Sequence, residues 1–144
     1  MLSKNRNFRM IVCMAICVVM MGGITSCSKD EADYREKFLG AYSGEERYTD
    51  GGIPVISPYT VTVTKSNESS GKVVISAEFM VAGRVENVAV DVSKDGSFFT
   101  SFASVVDGVS QTVQVSSGKF ANNTLTYSYY VQGYVTYTIT VTKL

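Results

Sequence analysis

Carboxylates are the side chains with which this chain could begin to do chemistry, and they stand side by side at two places only, Asp30-Glu31 and Glu45-Glu46. A carboxylate pair flanking a sugar can cut a glycosidic bond, one acid protonating the leaving oxygen and the other attacking or activating water. Glu45 and Glu46 fall in a run that reads as a strand. Strand neighbours point to opposite faces, so these two cannot both look into one site. The chain has no histidine, which removes the commonest general base, the serine-histidine-acid triads and nearly all zinc and copper sites. No P-loop, dinucleotide fingerprint or calcium-loop spacing is present. These residues give no reason to expect an enzyme, a metal site or a cofactor.

Cysteine is the next reactive type, and Cys13, Cys17 and Cys27 are the three in the chain. Lys4, Arg6 and Arg9 make a basic start, residues 10–21 form an uncharged apolar run, and small residues lead into Cys27. That order describes a secretory signal peptide over residues 1–26. The rival, an uncleaved membrane anchor, needs about 20 apolar residues, more than this run supplies. Cys13 and Cys17 fall inside the run, so a cut before Cys27 leaves no partner for a disulfide.

Ile24-Thr25-Ser26-Cys27 resembles the lipobox of bacterial lipoproteins, and that resemblance implies an acylated Cys27 as first residue of the mature protein. More than one acyl chain gives stable membrane anchoring. Lys29, Asp30 and Glu31 resemble the export signal of Bacteroidetes-type surface lipoproteins; the alternative is a solvated tether over residues 27–32. The implied location is the outer membrane, lipid-anchored, at the cell surface or else facing the periplasm. The whole chain balances 13 basic against 13 acidic side chains, so loss of Lys4, Arg6 and Arg9 turns the remainder acidic. An acidic chain gives no reason to expect nucleic acid as a partner.

From Gly40 onward the chain is written in period two. Tyr59, Val61 and Val63 oppose Thr60, Thr62 and Thr64, and Val135, Tyr137, Ile139 and Val141 oppose Thr136, Thr138, Thr140 and Thr142. Such alternation marks half-buried strands. Turn dipeptides, among them Asp95-Gly96, Asp107-Gly108 and Asn122-Asn123, punctuate the runs. Reading between them predicts eight strands near residues 40–48, 56–65, 72–81, 84–92, 97–105, 109–120, 124–131 and 134–143. Gly118 marks a bulge, the alternation slips between Val85 and Val88, and the one long connection is Asp50 to Ser57. Asp33-Tyr34-Arg35-Glu36 spells a capping box for one helical turn that sets Phe38 over an end of the molecule. Short connections make successive strands antiparallel neighbours, and pairing the first strand with the last closes an up-and-down barrel. A two-sheet β-sandwich is the alternative.

"KFLGAYSG", "YTVTVTKS", "GKFANNTLTYSYYV" and "YTITVTK" resemble the small lipocalin-like or calycin-like lipoproteins of the same bacteria, over residues 33–144. Where calycins carry glycine, any residue, tryptophan, this chain has Gly40-Ala41-Tyr42. The resemblance implies an eight-stranded barrel and supplies no catalytic residues. The lipocalin analogy makes the inward aromatics Tyr59, Phe79, Tyr127, Tyr129 and Tyr137 the lining of a cavity for a small apolar or sugar-like ligand. The other reading is that they fill the interior, as side chains do in small barrels. A filled barrel would act through its outside, with Tyr130 and Tyr134 offered to an envelope protein.

Overall fold

The computed structural model describes residues 33–69 and 71–144. The signal segment 1–26, Cys27 and the tether with Lys29, Asp30 and Glu31 lie outside the described residues. A 3-10 turn, Tyr34–Phe38, precedes eight antiparallel strands: β1 (Gly40–Asp50), β2 (Ile53–Lys65), β3 (Lys72–Phe79), β4 (Arg84–Asp91), β5 (Ser97–Val106), β6 (Val109–Ala121), β7 (Thr124–Tyr130) and β8 (Tyr137–Lys143). They form one sheet in the order β4-β3-β2-β1-β8-β7-β6-β5. The first strand pairs with the last, from Tyr42↔Lys143 to Arg47↔Thr138, as the meander reading expects. The one missing ladder lies between β4 and β5, so the barrel is nearly closed, with a seam there. Side chains bridge the seam: the Ser104 hydroxyl donates to Glu86 at 2.6 Å, and Arg84 Nη2 donates to Ser104 at 3.3 Å.

The strand ends depart from the alternation in two places. The expected long connection from Asp50 to Ser57 is a two-residue turn, Gly51-Gly52, both at positive φ, and the ladder runs out to Asp50↔Ile53. The stretch around Pro54 is the part of β2 that the predicted strand 56–65 left out. Proline cannot donate to a ladder, but β2 meets β3 only from Val61 onward, so Pro54 and Pro58 both lie where that edge has no partner strand. At the other departure β8 begins at Tyr137 rather than at residue 134; Gly133 turns at positive φ and leaves Tyr134 and Val135 exposed on a loop.

Gly118 takes part in the predicted bulge: the β6–β7 register shifts between Ser116 and Lys119, and a Cβ at Gly118 would run into the Phe98 ring. The irregularity expected between Val85 and Val88 is not a bulge, because β3 and β4 pair without a shift from Lys72↔Asp91 to Phe79↔Arg84. Val85 points outward, 63% exposed, and Glu86 takes the inward place.

At the end where the chain enters, Asp33 accepts from the Arg35 amide at 3.1 Å, the capping half of the expected box. Glu36 pairs instead with Lys65. Arg35 is buried and its Nη1 donates to the carbonyls of Ser69 and Lys72, both at 2.8 Å, tying the β2–β3 loop to the turn. Phe38 stacks on Phe120 with centroids 4.7 Å apart and covers this end of the barrel, as its position implied.

Candidate functional site

Alternation delivers the five aromatics to one interior. Tyr59 comes from β2, Phe79 from β3, Tyr127 and Tyr129 from β7, and Tyr137 from β8; all are buried. Tyr129 stacks on Tyr137 with centroids 4.8 Å apart and planes 7° from parallel, and meets Phe79 edge-on at 4.9 Å. Tyr127 lies 6.4 Å from Phe79 and from Tyr129. Tyr48 extends the stack at 4.9 Å from Tyr137, and Phe102 at 5.0 Å from Phe79. Offset and edge-on rings at these separations are packed rings, each worth up to about 1.5 kcal/mol beyond its area.

Their hydroxyls are used inside as well. Tyr59 donates to the Glu78 carbonyl, Tyr127 donates to the Tyr59 oxygen at 3.4 Å, and the Tyr129 oxygen accepts from the Met80 amide at 3.0 Å. Tyr129 donates in turn to the carboxylate of Glu46. Burial drives the phenols of Tyr59, Tyr127 and Tyr129 well above the ordinary range.

Glu46 is the residue that sequence reasoning missed. It is 1% exposed, and burial raises its carboxyl above the usual value; the Tyr129 hydrogen bond opposes that shift and the charge of Glu78 adds to it. Its neighbour Glu45 faces outward and pairs with Arg47, so the two carboxylates do point to opposite faces. The signal was there to read: counting by twos from Tyr42 through Gly44 lands on Glu46 and then Tyr48. Glu46 is the one buried acid among the described residues. Among the described residues, no group of three or more potential metal ligands comes together.

Among the described residues, hollows lie elsewhere. One of 320 Å³ is bounded by Lys37, Phe38, Tyr42, Asp95 and residues 120–124 at the end where the chain enters. Another, of 500 Å³, lies at the opposite end between the β1–β2 hairpin and the start of β8. None of the five aromatics lines either. Of the two tyrosines expected outside, Tyr130 donates to Gln114, its cross-strand neighbour, at 2.6 Å. Tyr134 reaches Asp107 from a loop rather than a strand. Compared with protein-family models and with curated proteins, the chain matches none.

Proposed function

We propose that this chain is a lipid-anchored surface protein of a bacterial outer membrane whose barrel works through its outside, as a non-enzymatic accessory partner of an envelope assembly. The observation that carries the reading is the packing of Tyr59, Phe79, Tyr127, Tyr129 and Tyr137 against one another, which leaves the barrel interior to its own side chains. The anchor rests on the sequence around Cys27. In a Gram-negative host the protein should partition into detergent and gain the mass of a diacylglycerol and an acyl chain. Cys27→Ala should release it or block its processing, and protease added to intact cells should remove the wild type. Unchanged membrane association in the variant would defeat the anchor; resistance until cells are broken would turn the protein toward the periplasm. A second reading, a small apolar or sugar-like ligand held at the barrel mouth, is favoured by the 500 Å³ hollow beside Tyr48.

A further inference from the structure

The large apolar side chains left exposed are unevenly placed. Because the strands are antiparallel, β1, β3, β5 and β7 all finish at one end, the rim opposite the point where the chain enters at Asp33. Ile53 and Ile56 stand on the hairpin there at 69% and 58% exposure, with Met80, Val105, Val109 and Val135 exposed around them. At the entering end the exposed large apolar residues are Phe99 and Leu144.

The 500 Å³ hollow lies within this rim, and its walls suit an extended chain. Tyr48, Pro54, Val55, Ile56 and Val135 give it apolar sides, with Arg47 and three threonines among them. β1 continues to Asp50, but its ladder with β8 stops at Arg47↔Thr138, so residues 48–50 have no partner strand on that side. A free edge next to an apolar wall is the arrangement by which a sheet takes on an added strand.

Charge selects the occupant. Asp50, Asp107 and Glu78 are exposed at the rim around the hollow though outside its lining, whereas the cations Arg47, which lines it, and Arg84 are paired with Glu45 and Glu86. Two copies meeting rim to rim would set carboxylates against carboxylates, and an anionic membrane would be repelled in the same way. We infer that the hollow docks an extended segment of a different protein in which apolar and basic side chains alternate, the apolar ones against Val55, Ile56 and Val135 and the basic ones toward the rim acids. This deepens the accessory-partner reading and rests on it.

The full chain in detergent, titrated with a synthetic peptide of about nine residues alternating valine and lysine, tests this. The peptide should bind, more weakly as salt rises, and Ile56→Lys or Val135→Lys should each weaken it by about tenfold or more. Thr62→Lys on the outer wall should leave binding unchanged. Equal binding of a valine–glutamate peptide, equal affinity of the rim and wall variants, self-association that Ile56→Lys abolishes, or attachment of Cys27→Ala protein to phosphatidylglycerol vesicles would each overturn the proposal. Photo-crosslinkers placed at residues 56 and 62 in cells separate the two failures. Crosslinks from 62 and not 56 leave the accessory reading standing and remove the hollow as the site; none from either removes both.

Discussion

Among the described residues, Glu46 is the one carboxylate that the fold takes out of water. Burial favours its neutral form, so its folded pKa lies above the value of about 4.3 expected in an unfolded chain. The sign follows by linkage: the folded state holds the proton more tightly, so this group's contribution is fully present below the unfolded pKa and is lost as pH rises through the folded one. Asp33 and Asp95 run the other way. Hydrogen bonds from Arg35 and from Lys119 hold them far below the usual range, so their contribution is present above the unfolded value and lost in acid. Above the ordinary carboxylate range the slope from these groups therefore belongs to Glu46. Glu46→Gln keeps an acceptor for the Tyr129 hydroxyl and removes the titration. As pH rises above the ordinary carboxylate range, thermal midpoints should fall in the wild type and fall less in the variant. Parallel pH profiles would mean that Glu46 is already solvated in the fold.

At the level of strands, closure hangs on how near β1 and β8 approach. A Cβ at Gly44 would lie 2.8 Å from the Val141 Cα and nearer still to the Thr140 carbonyl oxygen, both backbone atoms that cannot swing aside. Gly44→Ala should push β1 off β8 and cost about 1 to 3 kcal/mol. Hydrogen exchange should quicken at residues 139–142 and stay unchanged in the β3–β4 ladder; uniform or absent change would contradict this. Alternation and turn dipeptides made the eight strands and their up-and-down order legible. Pattern alone missed what pairing decides. Pro54 looks like loop until β2 is seen to lack a neighbour there, and Val135 continues an apolar row although Gly133 has turned the chain away from the sheet. The open β4–β5 seam was not legible either, because Glu86 and Ser104 bridge it only after folding brings them together.

For the molecule as a whole, the buried tyrosines decide whether the interior is filled. The sequence put Tyr137 in mid-strand, but it opens β8 and keeps 9% of its surface, whereas Tyr129 keeps none. Tyr129 is therefore the more telling position. It packs against Phe79 and Tyr137 and carries the hydrogen bond to Glu46, so its truncation would leave both a void and a buried carboxylate without its donor. Large-to-small aromatic changes in packed cores cost about 3 to 5 kcal/mol, a large share of the roughly 5 to 15 kcal/mol that holds a small domain together. The most direct measurement is the denaturant unfolding of Tyr129→Ala beside wild type. A filled barrel predicts a loss of about 3 kcal/mol or more at unchanged m-value. A difference within a few tenths of a kcal/mol would mean that Tyr129 borders empty space and that the barrel holds a cavity.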